Sequence, residues 1–170
     1  MRNRKLKVNL KVIDMEVINK DYFGEALINC VLNTKKNIEH VKDQISRISL
    51  SFVPYDHIMN CYDAIIDKVI LRNQLTKLFE LFKDWYRNLD DKRKKLFVTY
   101  FVKRDKIGCV RMTKNTHYFN KYILLIVRSF MGYVKTISDL NEETLIKNPY
   151  VYNSYIRLII ERERPNKKYV

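Results

Sequence analysis

Hydrophobic residues recur at helical spacing along most of the chain, and the clearest run begins at Tyr55. Apart from a gap at Arg72, its apolar positions alternate three and four residues apart: Ile58, Tyr62, Ile65, Val69, Leu75, Phe79, Phe82, Tyr86 and Leu89. This spacing predicts one long amphipathic helix with a seam like that of a coiled coil. The seam needs a partner, either residues 6–48 of the same chain or a second copy in a homodimer through residues 55–89. Trp85 is expected to belong to the same core.

The region before this helix carries a weaker pattern. Four apolar residues near the N-terminus fall on one helix face: Leu6, Leu10, Ile13 and Val17. Alternation over the first of them also fits a strand, but the helical spacing continues to Val31. We therefore predict a helix over residues 6–33, with Gly24 as a weak point. Residues 34–37 look like a break, and a shorter helix is expected to restart over residues 38–48.

The second half of the chain reads as a series of shorter helices. After a break near Asn88, the pattern predicts a helix over residues 91–103, a short one over residues 106–111, and a long one ending near Val134. A short helix before Pro149 and a last aromatic helix follow. Glycine and proline number only three each, which leaves little turn chemistry for a many-stranded sheet.

These elements predict an all-α protein in three parts. Long antiparallel helices with a coiled-coil-like seam are expected over residues 1–89. A helix-turn-helix unit is expected over residues 90–135, and a short helical extension over residues 136–170.

The positive charge is distributed unevenly along the chain, whose net charge is +14. Residues 1–11 hold five basic residues and no acid, whereas residues 12–91 hold ten basic and thirteen acidic residues. Residues 92–135 hold twelve basic residues and a single acid, Asp105. A general bias towards lysine would charge the whole chain, so this concentration indicates a polyanion partner rather than an ordinary solvated surface. Nucleic acid is the expected partner, and an anionic membrane surface is a minor alternative.

The predicted order over residues 91–134 is that of a helix-turn-helix, in which the start of the last helix enters the major groove of duplex DNA. Asparagine can pair with adenine there, and lysine with guanine. The candidates for base contact are Lys114, Asn115, Thr116, His117, Asn120 and Lys121. The candidates for phosphate contact are Arg93, Lys103, Arg104, Lys106, Arg111 and Thr113. For each residue taken singly, a solvated surface position is the competing interpretation.

Three short segments, Tyr100-Phe101, Ile107-Gly108 and Thr113-Lys-Asn-Thr116, resemble the region-4-type helix-turn-helix of sigma factors. The closest likeness is to sigma-like phage regulators of the ArpU and RinA type, and it covers residues 6–134. The chain departs from that pattern at Gly108, where alanine is usual, and at Arg111, where a buried leucine is usual. The resemblance implies sequence-specific binding of duplex DNA and activation of mobile-element or late phage genes, with RNA polymerase as a further partner.

Signatures of enzymatic chemistry are missing from the sequence: it has no glycine-rich phosphate loop, no HExxH and no CxxC. His57 and Cys61 lie four residues apart, but a metal site needs further ligands, and coincidence on one helix face is the better interpretation. We therefore expect a protein that is not an enzyme, with no catalytic residue, metal or cofactor. The three cysteines predict free thiols in a reducing compartment. No apolar run is long enough to cross a bilayer, so a cytoplasmic protein is expected.

Two other functions compete with duplex binding. A helical protein-interaction module, such as a phage-encoded adaptor or inhibitor, would use the seam of residues 55–89 or the aromatic C-terminal helix. A protein that binds single-stranded nucleic acid would use aromatic side chains as stacking platforms. Most aromatics fall at core spacing, which disfavours that use.

Overall fold

The computed structural model describes residues 18–50, 54, 57–103 and 116–163, and regular structure within them is helical throughout, with no strand. The chain is therefore all-α, as the sequence predicted. The predicted helix over residues 106–111 lies outside this part of the chain. The described part contains seven α-helices: α1 Lys20–Leu32, α2 Thr34–Leu50, α3 Ile58–Arg87, α4 Asp91–Phe97, α5 Thr116–Ile137, α6 Glu142–Ile146 and α7 Pro149–Glu163.

The first helix of the described residues begins at Lys20, within the span over which the sequence predicted a single helix. Asn19 has an extended backbone, and its side-chain oxygen accepts hydrogen bonds from the backbone N–H groups of Asp21, at 3.1 Å, and Tyr22, at 3.2 Å. Such a cap satisfies backbone N–H donors that the first turn leaves without a partner, and it fixes the start of α1 at this point. The prediction of one uninterrupted helix over residues 6–33 is therefore wrong at residues 18–19.

The predicted break over residues 34–37 is also wrong, because Asn33 alone separates α1 from α2. The hydroxyl of Thr34 donates to the carbonyl of Cys30 at 3.5 Å, and the side-chain amide of Asn37 donates to the same oxygen at 3.5 Å. Threonine and asparagine often interrupt a helix, but here both side chains form hydrogen bonds with the last turn of α1. The interruption between the two helices is therefore a single residue long.

Helices α2 and α3 pack along each other. His40 of α2 forms a hydrogen bond with Tyr150 in the first turn of α7. Gln74 of α3 forms one with Asn148, the residue directly before α7. These parts of α2 and α3 therefore both lie beside the start of α7. Since the short connection before Ile58 joins the other ends of α2 and α3, the two helices run in opposite directions. This pairing confirms that part of residues 6–48 covers α3.

One hydrophobic core draws on all seven helices. Its centre is aromatic, and Trp85 is 4% exposed there, as predicted, with its ring centroid 5.0 Å from that of Phe130. The indole N–H of Trp85 donates to the hydroxyl of Ser129 at 3.2 Å, which satisfies its polar atom. Helix α3 thereby contacts α5 directly.

Helix α4 is followed directly, without a break, by a π-helical turn over Val98–Val102. The backbone N–H of Lys103 closes this turn on the carbonyl of Val98 at 3.0 Å. Within the turn, Tyr100 donates its hydroxyl to the buried carboxyl group of Glu25 at 2.8 Å. The predicted helix over residues 91–103 is thus confirmed, and this bond ties its end to α1.

Burial also sets the chemistry of the cysteines within the described residues. Cys30 and Cys61 are free thiols, as the sequence predicted. Burial raises the pKa of the Cys30 thiol to about 12.

None of the helices in the described part combines the length and the apolar character needed to cross a bilayer.

Asn148 caps α7 and is almost completely buried. Its side-chain oxygen accepts from the backbone N–H of Tyr150 at 3.0 Å, and its amide group donates to Gln74 at 3.1 Å. We expect Asn148→Ala to lower the free energy of unfolding by roughly 1 kcal/mol, mainly through loss of the cap. Asn148→Ser keeps a capping oxygen and should recover part of that loss. Urea unfolding of the two variants tests this, and equal stability of Asn148→Ala and wild type would contradict the capping role.

Candidate nucleic-acid interface

The structure describes three side chains among the twelve predicted DNA contacts: Arg93, Lys103 and Lys121, all of them exposed. Thr116, His117 and Asn120 lie in the first turns of α5, but only their backbone is described. The remaining predicted contacts fall outside the described residues: Arg104, Lys106, Arg111, Thr113, Lys114 and Asn115.

Asp90 organises the start of α4. Its carboxylate accepts from the backbone N–H of Arg93 at 2.7 Å, and the other oxygen lies 3.8 Å from the Arg93 Nε. An N-cap of this kind needs a side-chain acceptor directly before the helix, and Asp90 supplies it. Arg93 is exposed but shares its charge with Asp90, so it is a weaker phosphate ligand than the sequence alone suggested.

Lys92 connects the first turn of α4 with the second turn of α5. Its Nζ lies 5.8 Å from the centroid of the Tyr122 ring, within the range of a cation–π contact. Lys121, next to Tyr122, is thereby brought to the same end of the α4–α5 pair as Lys92. The sequence analysis did not single out Lys92 or Lys95. The run of four basic residues at the start of α4 was the available signal for both.

Most of the described basic residues within 92–135 form no ion pair with a carboxylate of the described residues. The described basic residues within 92–135 are Lys92, Arg93, Lys94, Lys95, Lys103, Lys121, Arg128 and Lys135. Among them, ion pairs within the described part of the chain join only Arg93 to Asp90 and Arg128 to Asp21. Arg128 binds Asp21 through two N–H groups at 3.0 and 3.1 Å, and this contact raises the pKa of Arg128. We define the exposed Lys92, Lys95 and Lys121 as the lysine face.

Helix α5 presents a second feature beside the lysine face. Its buried side consists of Ile123, Ile126, Val127, Phe130 and Val134. The opposite side is exposed where its side chains are described: Tyr122, Leu125, Ser129 and Gly132. Tyr122 and Leu125 are about half exposed, which gives this side apolar groups next to Lys121. Such a surface can contact a polyanion and the flat faces or methyl groups of its bases.

Within the described residues, no group of three or more histidine, cysteine, aspartate or glutamate side chains could hold a metal ion. No family model, curated protein or solved structure matches this chain. The likeness to sigma-like regulators therefore rests on the sequence pattern, and the lysine face rests on the structure.

Proposed function

We propose that this protein is a DNA-binding transcription regulator that holds duplex DNA against the lysine face of α4 and α5. The observation that carries the proposal is the position of Lys92 and Lys121 at one end of two packed helices, without a carboxylate partner in the described residues. Three cations on a rigid surface suit the regularly spaced phosphates of a duplex. The first residues of α5, directly before Lys121 in the chain, supply the base contacts.

The finer parts of the proposal come from the sequence. The resemblance to phage and mobile-element regulators supports sequence-specific binding and adds RNA polymerase as a second partner. Non-enzymatic function is part of the same proposal. The first residues of α5 would carry sequence selectivity, whereas the lysine face would set affinity and register.

Duplex binding measured by fluorescence anisotropy between about 50 and 200 mM salt tests the proposal. In the triple variant Lys92→Ala/Lys95→Ala/Lys121→Ala, we expect the slope of log affinity against log salt to fall by roughly 3, because each phosphate contact contributes about 0.9. Affinity at the lower salt concentration should fall by at least about tenfold.

The matched control removes the same charge elsewhere. Lys35, Lys36 and Lys42 are exposed on α2, and their triple alanine variant should keep most of the salt dependence. If both triple variants weaken binding equally, net charge alone explains it, and the lysine face is rejected. Excess competitor DNA then separates sequence-selective binding, which should survive, from non-specific binding.

A helical protein-interaction module is the second candidate. Four large apolar side chains on the first half of α3 are exposed, and they favour this alternative: Met59, Tyr62, Ile66 and Ile70. Absence of duplex binding at the lower salt concentration would leave the interaction module as the better function.

A further inference from the structure

A cavity of about 420 Å³ lies between α1, α5 and α6, and the proposed function does not use it. Its apolar lining consists of buried side chains: Phe23, Leu27, Val134, Leu140 and Leu145. A cavity of roughly 150 Å³ already holds a benzene ring, and binding sites for small molecules begin at about 300 Å³. The cavity therefore has the size and the lining for one small organic molecule.

Gly132 forms part of the cavity wall and leaves that part without a side chain. Glycine inside a helix costs about 1 kcal/mol relative to alanine. At Gly24 the close neighbours Val127 and Met131 explain the glycine, whereas a Cβ atom at Gly132 would meet nothing within 4 Å. The missing side chain at Gly132 instead widens the cavity and lets a ligand approach the backbone of α5.

Charged residues of both signs border the opening of the cavity. Lys20 of α1 and Lys135 of α5 are exposed there, and Glu142 and Glu143 of α6 are half-buried and exposed, respectively. None of the four forms an ion pair within the described part of the chain. The positive charges thus come from two walls of the cavity and the negative charges from the third.

This arrangement of charge narrows the class of ligand. A fatty acid would be attracted by the two lysines but repelled by the two glutamates, and an apolar amine would meet the reverse. A neutral apolar molecule would gain nothing from either pair. A molecule that carries both a carboxylate and an ammonium group can face an opposite charge with each of them.

We propose that the cavity binds a zwitterionic small molecule with one large apolar group, which is the chemistry of an aromatic α-amino acid. The apolar group lies against Phe23, Leu27 and Leu145. The carboxylate faces Lys20 and Lys135, and the ammonium group faces the two glutamates of α6.

Isothermal titration calorimetry of the full chain with L-phenylalanine tests the proposal. It needs no DNA, so its result is independent of duplex binding. We expect saturable binding at one site with a dissociation constant of about 1 mM or tighter. Three analogues each lack one feature: 3-phenylpropionate lacks the ammonium group, phenethylamine lacks the carboxylate and free glycine lacks the apolar group. The first two should bind roughly fivefold more weakly, because each loses a solvent-exposed ion pair, and free glycine should not bind.

Two leucine substitutions on α5 locate the site. Gly132→Leu fills space at the cavity wall and should weaken L-phenylalanine binding at least about tenfold while the protein stays folded. Thr136→Leu adds the same side chain one turn later, at an exposed position outside the cavity lining, and should bind like wild type. Circular dichroism of both variants checks that the fold is kept.

A charge variant assigns the carboxylate. Lys20→Gln/Lys135→Gln should weaken binding of L-phenylalanine but not of phenethylamine, a difference that a merely structural role of the lysines would not produce. Absence of L-phenylalanine binding up to about 10 mM, or equal binding by Gly132→Leu and Thr136→Leu, overturns the proposal. So does binding of 3-phenylpropionate as tight as that of L-phenylalanine, because the ligand is then an anion and not a zwitterion.

Discussion

Replacing Phe97 with alanine is expected to lower the free energy of unfolding by roughly 3–5 kcal/mol. The Phe97 side chain is 2% exposed, and its ring centroid lies 5.5 Å from that of Phe82, 6.1 Å from Trp85 and 4.8 Å from Phe101. Alanine would leave a cavity where α3, α4 and α5 meet, since the surrounding rings cannot collapse into it completely. Urea unfolding followed by far-ultraviolet circular dichroism measures the loss.

Phe97→Leu is the matched control, because it keeps most of the buried volume and should cost less than about 1.5 kcal/mol. A similar, small loss in both variants would show that this part of the core is loosely packed. In the anisotropy test of the proposed function, Phe97→Ala should weaken duplex binding without removing a charge, because Phe97 packs α4 against Phe82 and Trp85 of α3.

Alanine substitutions at Gly24 and Gly132, the helical glycines of the described residues, are expected to change stability in opposite directions. A Cβ atom at Gly24 would lie 2.5 Å from the Val127 Cγ1 and 2.5 Å from the Met131 Sδ, whereas one at Gly132 would meet nothing within 4 Å. Gly132→Ala should therefore stabilise the protein by about 1 kcal/mol through helix propensity. In Gly24→Ala that gain is outweighed, because the Cβ-branched Val127 has little freedom to turn away.

The difference between the two variants isolates the packing penalty at Gly24, since the propensity gain is common to both. We expect this difference to be roughly 1–3 kcal/mol in urea unfolding. The double variant Gly24→Ala/Val127→Ala should be more stable than the sum of its single variants predicts, because it removes the Val127 Cγ1 atom, the less movable of the two close neighbours. Equal stabilisation by both glycine variants would show that α1 and α5 are farther apart than the structure has them.

The sequence pattern predicted the helices that have long amphipathic faces, α3 and α5, because their apolar periodicity persists over many turns. It failed where one residue type has two uses. Asn19 caps a helix and Asn37 binds back within one, and the sequence does not distinguish the two. Gly24 was interpreted as a weak point, but its role depends on Met131 and Val127, more than one hundred positions away.

The candidate site was only partly predictable for the same reason. Arg93 and Lys121 were chosen because they lie within the predicted helix-turn-helix, Lys121 in the first turns of its last helix, and both are exposed. Lys92 was missed because exposed lysines look alike in a sequence. Its value as a candidate comes from Tyr122, which packing places under its ammonium group. Periodicity likewise identified the apolar face of α3, but it does not say which part of that face is covered.

The position of Trp85 gives the protein an intrinsic optical reporter. It is the only tryptophan in the chain, and its indole N–H is bound to Ser129, one turn from Leu125 on the exposed side of α5. Indole emission responds to hydrogen bonding and to the polarity around the ring. A shift of α5 relative to α3 when a duplex binds would therefore change the fluorescence of unlabelled protein, so binding and its structural response can be followed in one titration.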